Sequence, residues 1–286
     1  MPTVALVSPG AMGTAMGSAL ARGGARVVAT LAGRSQRTRG LVAGSPIELL
    51  ADLTAVVVEA DVVLSIVPPE AAADVARNVQ HTAREVGRAP LFADLNAIAP
   101  ATAARIAAGL RSVGVDVVDG SISGPPPRNA GTTRLYLSGA RAEEIASLPF
   151  DGVDRIVVGA DVGSASAVKM STASVYKGSS ALLVQALLAA HANGVLEHVL
   201  ADLRAASPEL VSNVERRLGY AAAKSGRYVG EMREIAHTQS AAGLTPALFE
   251  AMAEVYEALA RTPLARTSPE EVASDALLED LLDGLR

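Results

Sequence analysis

The chain contains no cysteine and no tryptophan, and its aromatic content is only 3%. Without cysteine there is no disulfide framework, no thiolate metal site and no thiol nucleophile. So few aromatic rings leave no stacking platform of the kind that single-stranded nucleic acids need. An excess of positive charge is missing too. The formal net charge is −5 and the pI is near 5.5, which argues against a nucleic-acid partner or an anionic membrane surface. The N-terminus lacks the basic region and cleavage site of a signal peptide. The apolar runs are strand-length or interrupted by polar residues, so none reads as a membrane span. The expectation is a soluble cytoplasmic protein.

What is present is a large apolar fraction, 50% of the 286 residues, with alanine supplying much of it. Over the first 160 residues, short β-branched runs alternate with longer Ala-rich stretches, the pattern of βαβ units around a mostly parallel sheet. Strands are expected at Thr3–Val7, Arg26–Leu31, Ile47–Leu50, Asp61–Val67, Leu91–Leu95 and Val115–Val118. Two more, Arg134–Leu137 and Arg155–Val158, read as additions at a sheet edge. Helices are expected at Met12–Arg22, Ala71–Val86 and Pro100–Arg111, the last opening on a proline suited to a first helical turn. From Val162 onward no strand pattern remains. The chain therefore reads as α/β in fold class: a Rossmann-type dinucleotide-binding domain over 1–160, then an all-α domain over 161–286 entered through a long helix at about 163–192.

Between the first strand and the first helix runs Ser8-Pro9-Gly10-Ala11-Met12-Gly13. Gly10 and Gly13 hold the second and third glycine positions of a GxGxxG loop, which lets a backbone approach a pyrophosphate at a helix N-terminus. Ser8 stands at the first. An ordinary tight turn is the plain alternative. The end of the second strand is more informative. An NAD site commonly places a carboxylate there for the ribose 2′-OH, yet the chain has no Asp or Glu before Glu48. It has Gly33-Arg34-Ser35, then Arg37 and Arg39. Arg34 can pair with a 2′-phosphate and Ser35 can add hydrogen bonds, so NADP is the expected cofactor. A solvated basic loop is the alternative reading.

Only three of the 25 basic residues are lysines: Lys169, Lys177 and Lys224. Arginine cannot release its proton in a protein, whereas lysine can be tuned to do so. Lys169 and Lys177 fall on the long helix and are candidates for proton transfer. At helical spacing Lys169, Thr172 and Tyr176 share one face, and a solvated face is the plain alternative. Ser123-Gly124 opens a loop, stiffened by three prolines, whose amides can meet a ligand carboxylate. Arg128 and Arg134 are possible anion partners. Asn96 lies where open α/β sheets place their ligands, at the C-terminal end of the fifth strand. The four histidines are scattered, so no metal site is expected. The charged runs at Glu215–Arg217 and Glu231–Glu234 read as solvated helix faces.

In this order the motifs resemble the β-hydroxyacid dehydrogenase family, relatives of 6-phosphogluconate dehydrogenase, and the resemblance spans essentially the whole chain. SPGAMGTAMG resembles the family's glycine-rich opening, which assigns cofactor contacts to Gly10, Ala11, Met12 and Gly13. Gly33–Ser35 resembles the Asn-Arg-Ser/Thr segment of NADP-using members. Val67-Pro68 resembles the cofactor-contacting end of the fourth strand. DLNAIAPATAARIA, containing Asn96, resembles the stretch that usually reads Asp-x-Ser-Thr. GSISGPPPRNAGT resembles the substrate loop and assigns substrate contacts to Ser123 and Gly124. GADVGSASAVKMST resembles the catalytic segment, with Lys169 at the family's lysine.

The resemblance implies a small-molecule substrate and a homodimer with its site between domains. It also implies reversible oxidation of a small hydroxy acid, or reduction of the matching aldehyde or keto acid. Lys169 is then the acid/base, with Thr172 beside it as a second catalytic candidate, and Tyr176 is a substrate contact. A lysine in that role near neutrality needs its pKa lowered to roughly 7–8. The chain departs from the family at Ser8, at Pro125 for the loop's second glycine, at Thr172 for an Asn, and at Gly230-Glu231 for a Lys-Asp pair. Imine reductases, which commonly carry Asp or Tyr where Lys169 stands, and a non-catalytic NADP(H) sensor are the competing readings.

Overall fold

The computed structural model describes residues 2–127, 129–267 and 278–285. The chain divides into two compact units, Met1–Met170 and Ser171–Arg286, with the division falling inside one long helix.

The first unit alternates strand and helix: β1 (Thr3–Val7), α1 (Ala11–Arg22), β2 (Arg26–Thr30), α2 (Gln36–Val42), β3 (Glu48–Leu50), α3 (Leu53–Glu59), β4 (Val62–Ser65), α4 (Pro69–Val86), β5 (Leu91–Asp94), α5 (Pro100–Arg111), β6 (Val117–Ser123), β7 (Thr133–Ser138), α6 (Ala142–Ala146) and β8 (Val153–Gly159). The strands form one eight-stranded sheet in the order β3-β2-β1-β4-β5-β6-β7-β8. All neighbours run parallel except β6 and β7, which are antiparallel. The strands expected at a sheet edge are β7 and β8, and β8 is the terminal strand.

Strand alternation divides the core into two layers. Val4 and Leu6 of β1 pack with Met16 and Leu20 of α1. Ala5 and Val7 face the other way, into a layer with Val56, Val79 and Ile106. A sheet covered on both faces explains why its strands read as continuous apolar runs. The order reverses between β2-β1 and β4-β5, and this switch point is where open α/β sheets bind ligands at their C-terminal ends.

The long helix α7 (Ser164–Ala192) leaves the first unit. The second unit continues with α8 (Leu196–Ala206), α9 (Pro208–Val211), α10 (Val214–Ala223), α11 (Ser225–Ala241), α12 (Ala247–Ala260) and α13 (Leu278–Gly284). No strand occurs among its described residues. Its core holds Val184, Leu187, Met232, Ile235 and Tyr256. Gly178 lets α7 approach α12, since an added Cβ there would lie 3.3 Å from the Met252 sulfur. No described helix is long and apolar enough to cross a membrane.

Candidate functional site

The turn after β1 has the features of an anion cradle. Ser8 sits at φ 64°, a region that costs a side-chain-bearing residue about 1–2 kcal/mol and suits glycine. Gly10 precedes the 12-residue α1, whose first turn has neither a side-chain cap nor an acidic residue. Its leading N–H groups therefore remain available to an anion, with the helix dipole favouring negative charge. The Gly10 φ of −71° is ordinary, and an added Cβ meets nothing within 4 Å. Nothing in the surrounding protein demands a glycine at this position. Open space over it fits a dinucleotide phosphate approaching the backbone. The Thr14 hydroxyl donates to the Pro9 carbonyl at 3.0 Å and fixes the turn. Ala11 is exposed, Met12 half-buried and Gly13 buried. The tight packing falls further along, at Gly17, where an added Cβ would lie 2.4 Å from a Leu6 methyl.

At the end of β2, Gly33 takes φ 69° and carries the chain to Arg34. The Arg34 Nε is buried with no hydrogen-bond partner among the described residues. A buried donor left unmade costs about 1–3 kcal/mol, and a ligand acceptor would remove that cost. Ser35 caps α2, its hydroxyl oxygen accepting the Thr38 N–H at 3.3 Å. Arg39 turns back to donate to the Leu31 carbonyl.

The ends of β4 and β5 are bound together by Asn96. Its amide oxygen accepts the Val67 N–H at 2.6 Å and its amide nitrogen donates to the Ser65 hydroxyl at 3.0 Å. Asn96 is buried, so it shapes the backbone that enters Pro68 at the start of α4. Beside it, one oxygen of Asp94 accepts the Asn96 N–H at 3.0 Å, while the other has no partner among the described residues. Burial pushes the Asp94 carboxyl up to about 7, and neighbouring Asp119 adds to the effect, against hydrogen bonds from Asn96 that pull it down.

Lys169 and the Ser123-Gly124 turn, chosen separately from the sequence, are neighbours. The Lys169 ammonium donates to the Ile122 carbonyl at 2.7 Å, one residue before Ser123 at the end of β6. Gly124 takes φ 108°, and a Cβ there would lie 2.2 Å from the Thr132 carbonyl oxygen, so only glycine makes this turn. The Thr133 hydroxyl donates to the Pro125 carbonyl at 2.6 Å and closes the loop base. Arg134 is exposed on β7 in register with Ser123, and Arg128 lies outside the described residues.

A buried network underlies this corner that the sequence did not announce. Asp119 of β6 accepts hydrogen bonds from the Ser166 hydroxyl at 2.6 Å, the Ser166 N–H at 2.9 Å, the Gly163 N–H at 2.9 Å and the Ser138 hydroxyl at 3.0 Å. Burial pushes its carboxyl up while these donors pull it down. Ser138 in turn accepts the Ala165 N–H at 3.0 Å, and Ser121 donates to the Ala165 carbonyl at 2.8 Å.

Further along α7, Thr172 is half-buried and Tyr176 is 70% exposed. Lys177 forms an ion pair with Glu231 and lies over the Tyr228 ring, 4.7 Å from its centre. Glu231 also accepts from Arg227 at 2.7 Å. This corrects the expectation of a solvated face at Glu231–Glu234: Glu231 is fully buried. Two cations, one of them four residues away on the same helix, offset the carboxylate's desolvation. That partnership depends on packing between helices, which local charge pattern does not encode.

The family model for the NAD binding domain of 6-phosphogluconate dehydrogenase matches residues 3–149. A domain of unknown function, DUF1932, matches residues 190–259. An uncharacterised 28.5 kDa protein from the 7S RNA 5′ region of Methanothermus fervidus is 27% identical over 169 residues, which is 59% of this chain and 63% of that protein. The match therefore spans less than two thirds of that relative's length. Conserved protein MTH1747, of unknown function and described as structurally similar to 3-hydroxyacid dehydrogenases, is 28% identical with a TM-score of 0.67, over 90% of this chain and 96% of that one. The 3-hydroxyisobutyrate dehydrogenase of Mycobacterium tuberculosis, solved with L-serine, shares the fold at 20% identity with a TM-score of 0.71, over 100% of this chain and 99% of its own.

Proposed function

Because this chain belongs to the family of the NAD binding domain of 6-phosphogluconate dehydrogenase, we propose that it transfers hydride between NADP(H) and a small hydroxy acid or its aldehyde or keto counterpart. Lys169 is the acid/base of this reaction. The observation that carries the reading is the 2.7 Å bond from the Lys169 ammonium to the Ile122 carbonyl, which holds a proton donor beside the Ser123-Gly124 turn.

A nicotinamide held by these residues would supply the redox chemistry, taking hydride from the carbinol carbon or returning it to the carbonyl carbon. The chain's own residues handle the rest. The Ile122 carbonyl orients the ammonium, and a proton passes between Nζ and the substrate oxygen as the carbon changes oxidation state. The N–H groups and hydroxyl at Ser123-Gly124 receive the substrate carboxylate. Gly10, Ala11, Met12 and Gly13 receive the diphosphate at the start of α1. Val67 and Pro68 flank the cofactor on a backbone that Asn96 fixes. The NADP preference rests on Arg34, whose buried Nε has no partner among the described residues, and on the absence of any acidic residue before Glu48. Thr172 stands with Lys169 as a catalytic residue of α7, and Tyr176 is assigned to the substrate.

A panel of 2- and 3-hydroxy acids, followed by NADP+ reduction at the nicotinamide absorbance, tests the reading. Turnover of one class establishes it. Turnover of cyclic imines with NADPH and of no hydroxy acid in either direction overturns the substrate assignment.

A further inference from the structure

The proton donor's helix is anchored from outside itself. The first turn of α7 has backbone N–H groups that no residue of the helix can satisfy, and a side chain beside the helix start normally caps such groups. Here the cap comes from another element. Asp119 of β6 accepts the Gly163 N–H, the Ser166 N–H and the Ser166 hydroxyl. Asp119 is only 1% exposed. The groups hydrogen-bonded to its oxygens are donors: the Ser138 oxygen accepts from the Ala165 N–H, which leaves the Ser138 hydrogen for Asp119. Four donors at a positive helix end favour the carboxylate form, against the burial that on balance raises this carboxyl.

Ser166 and Lys169 are three residues apart on α7, so they share one helix face about 4.5 Å apart along the axis. On β6 their partners are Asp119 and Ile122, also three residues apart. The same face of the helix is thus tied to the same strand twice, once through the short Ser166–Asp119 hydrogen bond and once through the lysine itself. We propose that Asp119, through Ser166, is the positioning residue that sets where the Lys169 ammonium stands relative to the Ser123-Gly124 turn. The proposal rests on Lys169 being the acid/base, and it assigns Asp119 no contact with substrate or cofactor. Weakening the clamp lets the first turn of α7 shift while Lys169 remains present. A displacement of about 1 Å at a reacting group can cost on the order of 10²-fold in rate.

Asp119→Asn, Ser166→Ala and the wild type are compared by two readouts. The first is kinetic: kcat falls about 10²-fold in Asp119→Asn and about tenfold in Ser166→Ala, while KM and NADPH affinity stay within about twofold. The second is independent of turnover. Reductive methylation of the chain's three lysines with labelled formaldehyde gives dimethyl-lysine NMR signals, and Lys169→Arg identifies the Lys169 signal. Its chemical shift and titration midpoint move in both variants, while those of Lys177 and Lys224 do not. If Asp119→Asn does not fold, Ser166→Ala decides by itself, with bound NADPH reporting its integrity. An unmoved Lys169 signal in a folded variant overturns the proposal, as does a loss confined to KM or cofactor binding. If the wild type turns over no hydroxy acid, the functional reading fails while the Lys169 signal still decides the clamp.

Discussion

In the proposed reading, cofactor choice rests on one side chain, Arg34. Its Nε is buried without a partner among the described residues, in a segment where the nearest acidic residue in sequence is Glu48. Charge-assisted bonds to a 2′-phosphate contribute about 1.5–3 kcal/mol. Arg34→Ala therefore weakens NADPH binding about 10–100-fold and leaves NADH binding nearly unchanged, by calorimetric titration, with the difference shrinking as salt screens the pair. Equal losses for both cofactors contradict the phosphate contact. Ser35 was chosen from sequence for the same phosphate, and its hydroxyl is engaged in capping α2. The Gly10 and Gly33 signals were legible because turn and phosphate-loop chemistry is local. Asp119 and Asp94 were not, because their partners lie on other elements: Ser166 is 47 residues from Asp119, and no spacing rule reaches that far.

Between elements, two buried charge arrangements lead to opposite expectations. Asp94 and Asp119 are direct neighbours on β5 and β6. Burial raises the Asp94 carboxyl from the ordinary 3.8 to about 7, so the native state holds a proton that the unfolded state has released between those values. Stability contributed by this group is full below about pH 4 and falls as pH rises toward about 7, because the folded state binds more protons there. Asp94→Asn should match wild type in urea midpoint near pH 4 and exceed it at about pH 8. A midpoint difference that does not vary with pH contradicts this.

On α11, Glu231 is fully buried between Lys177 and Arg227. Removing one member of a buried pair costs about 3–5 kcal/mol. Glu231→Leu should lose stability in that range by chemical denaturation, and adding Lys177→Met should restore part of it. An additive double variant contradicts the pairing. The eight strands and the long helix were readable from apolar runs and periodicity, yet α2, α3 and α6 were not. Each is five to seven residues long, too short for periodicity to separate from a loop.

At the scale of the whole chain, the family match over residues 3–149 lies within the first unit. The reading assigns the cofactor and the proton donor to that unit. The helical unit holds a second lysine, Lys177, already committed to an ion pair with Glu231. The two lysines therefore differ in what they offer. The ammonium of Lys169 donates to the Ile122 carbonyl beside the Ser123-Gly124 turn, and that of Lys177 pairs with buried Glu231 inside the helical unit.

The measurement that bears most directly on this account is single-turnover hydride transfer in Lys169→Ala, compared with wild type and Lys177→Ala at saturating NADP+ and hydroxy acid. The account predicts a loss of several orders of magnitude in Lys169→Ala with NADPH affinity kept, and a far smaller rate change in Lys177→Ala once its folding is verified. Undiminished hydride transfer in Lys169→Ala would contradict it.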